Sequence, residues 1–226
     1  MMRKMIIGVL LLTCSAGAAQ ARDDDFYVGV EAGVTLVDGD DLTFTPGAVA
    51  AGNGTVELGY DRGIDGGAFF GYDFGPVRIE AEASYRSAGL GTVNSDFTVG
   101  SVIVAGPRPA GGGKVTAVSF MGNAMLDFGK NDGLSFFVGG GVGYAKIRYE
   151  GLQVPSTQSA FLDDGDAGFA WQLIAGVRHP ISNNIDITAR YRFFNAGDAQ
   201  MVGFGGRGVD GSFRSHSLMA GISLNF

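Results

Sequence analysis

The side chains of this chain that could do chemistry fall into three groups. The first is a charged alternation. Arg78, Glu80, Glu82 and Arg86 fall at even positions of one segment, and Asp186, Arg190 and Arg192 at even positions of another, with Arg178 shortly before. Guanidinium groups and carboxylates placed this way can pair in a confined space, where Arg forms bidentate contacts that Lys cannot. The second group is His216 between Ser215 and Ser217. Nucleophilic hydrolysis needs a hydroxyl, a base in reach and an acid to orient the base. Neighbours on a strand point to opposite faces, so His216 and Ser217 do not make a dyad. The third group is two acidic runs, Asp38-Gly39-Asp40-Asp41 and Asp163-Asp164-Gly165-Asp166. Hard cations favour carboxylates around a tight turn, but neither run completes a calcium-loop spacing. They read as hydrated acidic turns, with no metal, cofactor or catalytic residue assigned.

What positions these residues is a period of two. Eight segments alternate: 26–37, 55–74, 77–86, 114–128, 134–148, 169–179, 185–193 and 213–226. In the third, Val77, Ile79, Ala81, Ala83 and Tyr85 oppose the charged set. In the seventh, Ile185, Ile187, Ala189, Tyr191 and Phe193 do the same. After 1–21, little helical periodicity remains, and no other apolar stretch approaches the roughly 20 residues of a membrane helix.

Alternation does not say which face is outside. A soluble barrel buries its apolar face, whereas a membrane barrel turns it to lipid, and only a closed barrel leaves no edge for lipid to leave unpaired. Three features choose the membrane. Connections at 75–76, 129–133 and 180–184 are short, while the others read as long and rich in Gly and Asp, Gly106-Pro107-Arg108-Pro109 and Gly111 to Gly113 among them; this is the asymmetry of outer-membrane barrels. With strand directions alternated, Phe26, Tyr72, Phe74, Phe128, Phe136 and Phe226 gather at one rim. Tyr85, Tyr144, Phe169, Trp171, Tyr191 and Phe193 gather at the other, making two girdles around an apolar band of roughly 25 Å. Finally, Arg78, Glu80, Glu82, Arg86, Arg178, Asp186, Arg190 and Arg192 carry both signs and can neutralise one another inside a narrow barrel, as enclosed charges must.

Composition agrees. There are 39 glycines without a collagen period, a net charge of −7 without basic runs, and one cysteine. Nucleic acid is therefore not an expected partner. Arg3 and Lys4, the apolar run 6–12 and Ala19-Gln20-Ala21 make 1–21 a secretory signal with an A-x-A site. This leaves 22–226 as the barrel domain, and Cys14 lies in the removed segment.

Several segments resemble the OmpA/OmpX-like and opacity-protein family of outer-membrane barrels: Ser119-Phe120-Met121-Gly122-Asn123-Ala124-Met125-Leu126-Asp127-Phe128, Phe169-Ala170-Trp171-Gln172-Leu173-Ile174-Ala175-Gly176-Val177, and Arg190-Tyr191-Arg192-Phe193-Phe194. The ending Ile222-Ser223-Leu224-Asn225-Phe226 is similar to the C-terminal signal read by the barrel-assembly machinery, with Phe226 as its final residue. The resemblance implies an all-β, eight-stranded antiparallel up-and-down transmembrane β-barrel in the Gram-negative outer membrane. The peptidoglycan-binding domain that follows the barrel in OmpA is not expected here. The implied role is structural and surface-interacting, through outer loops that meet a host or surface ligand, in contact with outer-membrane lipid and lipopolysaccharide. A narrow porin-like channel is the alternative, and a lipid-A-modifying barrel enzyme the third reading. Uptake of apolar molecules would need an apolar interior, against which the charged third and seventh segments count.

Overall fold

The computed structural model describes residues 24–46, 53–98, 102–103, 105–129, 133–154 and 159–226, the side chain of residue 198 excepted; the expected signal segment 1–21 lies outside them. Eleven strands form one antiparallel sheet: β1 (Asp25–Val37), β2 (Asp40–Phe44), β3 (Gly54–Tyr60), β4 (Gly63–Asp73), β5 (Val77–Ser95), β6 (Gly106–Pro109), β7 (Gly112–Gly129), β8 (Ser135–Gln153), β9 (Leu162–Pro180), β10 (Ile185–Gly203) and β11 (Arg207–Asn225). Eight of them close a ring in the order β1-β4-β5-β7-β8-β9-β10-β11, and β11 returns to β1 through a register running from Tyr27↔Asn225 to Val37↔Ser215. The three short strands extend this wall. β2 continues β1 past a break at 38–39, and β3 leads into β4 across 61–62. The β2–β3 hairpin bridges β11 and β5 above the ends of β1 and β4. β6 continues the line of β7 along the top of β5. Among the described strands β6 pairs with β5 alone, so Pro107 and Pro109 are tolerated there, where no ladder needs their missing N–H groups.

This layout corrects the expectation of long irregular outer connections. Residues 106–109 are strand, β10 runs on to Gly203, and a three-residue turn, 204–206, joins it to β11. Gly205 and Gly206 adopt φ of 75° and 74°, a region that side chains resist. At the opposite end Gly75 (φ 89°) and Pro76 turn β4 into β5.

The face assignment follows the sequence. Val77, Ile79 and Tyr85 are exposed on the outer wall of β5, while Arg78, Glu80, Glu82 and Arg86 between them are enclosed. Both aromatic girdles lie on the outer wall. At the periplasmic rim Phe26 packs on Tyr72 (4.7 Å) and Phe226 (6.5 Å), and Tyr72 on Phe74 (4.6 Å); at the outer rim Trp171 packs on Phe193 (5.4 Å).

Above the outer girdle the chemistry of the two faces is exchanged while the geometry continues. On β5, Ala88, Leu90 and Val93 point inward and are buried, and Thr92 and Asn94 face out. Leu42, Phe44, Val56, Leu58, Val115, Ile147, Leu152, Phe161, Met201, Val209 and Phe213 join them in one apolar cluster inside the upper wall. Each long strand is thus a membrane strand below and a soluble-type strand above. An interior polar throughout, as the charged segments alone suggest, does not hold for the outer half.

Candidate functional site

The lower interior holds the charged residues singled out by alternation. Arg192 contacts Glu82 (2.9 Å), Asp65 (3.2 Å) and Glu31. Arg190 contacts Glu80 (3.2 Å), Glu31 (3.3 Å) and Glu82 (3.9 Å). Arg86 meets Asp65 at 3.0 Å, Arg178 meets Asp73 at 3.0 Å, and Arg78 is held by Asp127. Asp186 is buried as well and accepts a hydrogen bond from Asn225 (3.0 Å). Phe226 stands at the periplasmic rim, outside the lumen.

Alternation places Glu31, Asp73 and Asp127 on the polar face, but the charged set named from the sequence leaves them out, and Asp65, which shares the parity of Asp73, is not named at all. These four supply much of the negative charge. Carboxylates outnumber guanidinium groups in the lumen, and neutral donors serve the excess. Tyr27 donates its hydroxyl to Glu80 (3.0 Å), and Asn123 and Gln172 donate to Glu82 (3.0 and 3.1 Å). The guanidinium planes also lie over inward aromatic rings: Arg78 over Phe137 (4.9 Å), Arg190 over Phe69 (5.0 Å) and Arg86 over Phe194 (3.9 Å). Inward glycines make room for these bulky groups. A Cβ on Gly71 would run into the Tyr27 ring and hydroxyl, and one on Gly29 into the Phe69 ring.

β10 and β5 lie directly across the eight-membered ring, as do β9 and β4. The Arg192–Glu82 and Arg178–Asp73 pairs therefore join opposite walls at two levels, and the apolar cluster closes the interior again above them.

The hydrolytic reading finds no constellation. Ser215 and Ser217 point inward and are buried, with Ser217 donating to Thr35 (3.0 Å). His216 is on the outer wall, its Nδ1 2.7 Å from the Tyr191 hydroxyl and its Nε2 3.5 Å from Asp38. The wall separates base from hydroxyl.

The acidic runs are split in the same way. Asp38 and Asp41 lie on the outside, and Asp40 is buried inside, where Tyr149 donates to it at 2.9 Å and Tyr60 at 3.5 Å. Burial in apolar surroundings pushes the Asp40 carboxyl up to about 7. In the second run, Asp164 accepts the backbone N–H of Val202 (2.9 Å), and Asp166 those of Ala167 (2.7 Å) and Gln200 (2.9 Å). β9 and β10 stop pairing at Ala170↔Ala196, so these carboxylates replace the carbonyls of a missing ladder. The backbone donors hold Asp166 below the usual carboxylate range. Among the described residues, no group of three or more His, Cys, Asp or Glu side chains is arranged to hold a metal ion.

A closed eight-stranded ring with lipid-facing girdles and a paired, enclosed charge network defines an integral outer-membrane β-barrel protein of Gram-negative type. The chain belongs to the family described as the outer membrane protein beta-barrel domain, whose profile matches residues 7–226. It is 25% identical over 205 residues to the outer membrane protein PagN of Salmonella typhimurium strain LT2, covering 84% of this chain and 82% of that one. Among solved structures it is similar to the outer membrane protein OprG of Pseudomonas aeruginosa, with a TM-score of 0.56 at 14% identity over 90% of this chain and 97% of that one. It also matches the Neisserial surface protein A, with a TM-score of 0.46 at 15% identity over 89% and 97% of the two chains. Likeness at these identities concerns the fold.

Proposed function

We propose that this protein is a non-conducting, non-enzymatic scaffold of the outer membrane that presents its rigid outer half to ligands at the cell surface. The observation that carries this reading is the closure of the lumen by Arg192–Glu82, a contact between strands on opposite sides of the ring. An ion crossing the lumen in either direction must pass both the paired charges and the packed apolar side chains above them, and an eight-stranded barrel has room for little more than its own side chains. The wall that separates His216 from Ser215 and Ser217 supports leaving catalysis out.

The soluble-type upper barrel holds the outer connections on paired strands rather than on free chain, the arrangement by which scaffolds carry recognition. Val202 and Phe204 stand exposed beside the β10–β11 turn and give that tip an apolar contact surface. The charge network acts as internal bracing, and Phe226, stacked on Phe26, is the end presented to the assembly machinery. Planar-bilayer recording with the refolded barrel tests the reading. Silence at physiological salt is the expected result, and discrete, reproducible conductance steps would replace the scaffold by a channel.

A further inference from the structure

The outward face of β7, β8 and β9 is apolar from Phe136 up to Tyr144, and the first charges above Tyr144 on β8 are positive. Lys146 and Arg148 follow it on the same face, both exposed, while Ala145 and Ile147 between them point inward. Across the ladder Lys146 stands beside Val118 and Ala167, and Arg148 beside Thr116 and Gly165, so neither has an acid as its direct neighbour. Arg148 reaches Asp163 at 3.7 Å, Lys114 is paired with Glu150 at 3.3 Å, and Lys146 has no ion-pair partner among the described residues. Past the end of β1 the first outward charge is Asp38, and beside it on β11 it is the single cation Arg214, whereas β8 carries two cations in succession.

Below Tyr144 the wall is hollowed. Gly122 and Gly140 place no side chain on the lipid side, and with Ala124, Val142, Trp171 and Leu173 they line a groove of about 580 Å³. Lys146, Tyr144, Val142 and Gly140 succeed one another down the outward face of β8, so the groove begins below Tyr144, one outward residue beneath Lys146. Aromatic girdles mark the boundary between acyl chains and headgroups, which sets Lys146 and Arg148 at headgroup depth, where basic side chains attract anionic lipid.

We propose that Lys146 and Arg148 bind the phosphate of an outer-leaflet lipid whose acyl chains lie in the groove below. The guanidinium group of Arg148 offers paired donors to the phosphate oxygens and Lys146 a point charge. Gly140 and Gly122 let an acyl chain lie close against the wall. This assigns the barrel a lipid site of defined place, on the β7–β9 sector, distinct from the general solvation that surrounds every membrane protein.

Native mass spectrometry of the refolded barrel in non-ionic detergent, titrated with bisphosphorylated lipid A, tests the proposal. Unboiled electrophoretic mobility checks that each variant is folded. The expected result is that K146Q/R148Q weakens lipid A binding at least about tenfold. Gly140→Leu, which fills the groove and leaves the charges in place, weakens it as well. Arg214→Gln, three strands away round the ring, leaves it unchanged, as does millimolar inorganic phosphate. Wild-type affinity in the double variant, equal binding of fully dephosphorylated lipid A, an equal loss in Arg214→Gln, or displacement by inorganic phosphate would each overturn the assignment.

Discussion

Arg192 on β10 and Glu82 on β5 arise from strands directly across the ring, and their side chains meet at 2.9 Å. The Arg192 guanidinium also touches Asp65 on β4 and Glu31 on β1, so one cation ties together three strands besides its own. Enclosed charges of this kind are costly unless every partner is present. Replacing Arg192 by Leu leaves Glu31, Asp65 and Glu82 facing one another without that cation. A loss of about 3–5 kcal/mol is expected, read as a lower urea midpoint for the barrel in lipid vesicles. Glu82→Gln, which keeps a hydrogen-bonding group in place, costs less. A midpoint unchanged in Arg192→Leu would show that the network does not brace the barrel.

Asp40 makes the upper half sensitive to pH in an unusual direction. Its carboxyl is buried with Tyr149 and titrates near 7, whereas an unfolded Asp ionises near 3.9. Between these values the native state keeps a proton that the unfolded state has lost. Stability from this group is therefore greatest near pH 4 and falls as pH rises to about 7, by up to a few kcal/mol. Asp40→Asn removes that slope. Thermal unfolding across pH 4–8 checks it: the difference between wild type and variant grows with pH here and would be flat if Asp40 were solvated.

The lumenal and lipid-facing glycines predict opposite outcomes. Gly71→Val drives a side chain into the Tyr27 ring and hydroxyl, whereas Gly122→Ala meets nothing nearer than the Val142 carbonyl at 3.9 Å. The first variant is expected to lose the heat-modifiable folded band and the second to keep it. Similar yields of folded protein from both would contradict the placement of these two faces.

Asp164 and Asp166 close the seam above Ala170 and Ala196 by accepting the Val202 and Gln200 amides. Asp164→Ala with Asp166→Ala removes both acceptors and leaves the ladder below untouched. Faster hydrogen exchange confined to Gln200 and Val202 is expected, with the β9–β10 amides from Ala170 downward unchanged. Because its backbone donors hold Asp166 below the ordinary range, this part of the seam stays closed in mild acid, under conditions where Asp40 has already taken up its proton.

The sequence makes the lower half legible and leaves the upper half obscure for one physical reason. Alternation reports that two faces differ, and the side chains must then say which medium each face meets. Around Arg78, Glu80 and Glu82 the charges and girdles answer that question. Above Tyr85 the same period continues with Ala88, Leu90 and Val93 inward, but small residues and a shift at Gly91 blur it, so the strand reads as loop. Asp164 and Asp166 look like turn residues because carboxylates are common in turns, whereas here they serve as acceptors for a neighbouring strand. Asp65 shares its parity with Asp73 yet sits among glycines; the β4–β5 ladder sets it opposite Arg86, and only the closed ring brings it to Arg192.

The decisive claim is that each long strand meets lipid below the outer girdle and water above it. The only cysteine of the sequence is Cys14, so in protein refolded from residues 22–226 single cysteines along the outward positions of β5 can carry spin labels without interference. Collision with oxygen should dominate at Ile79, Ala81 and Ala83, and collision with a water-soluble nickel chelate at Thr92 and Asn94, with the crossover just beyond Tyr85. Nickel accessibility at Ala81 equal to that at Asn94 would contradict the account.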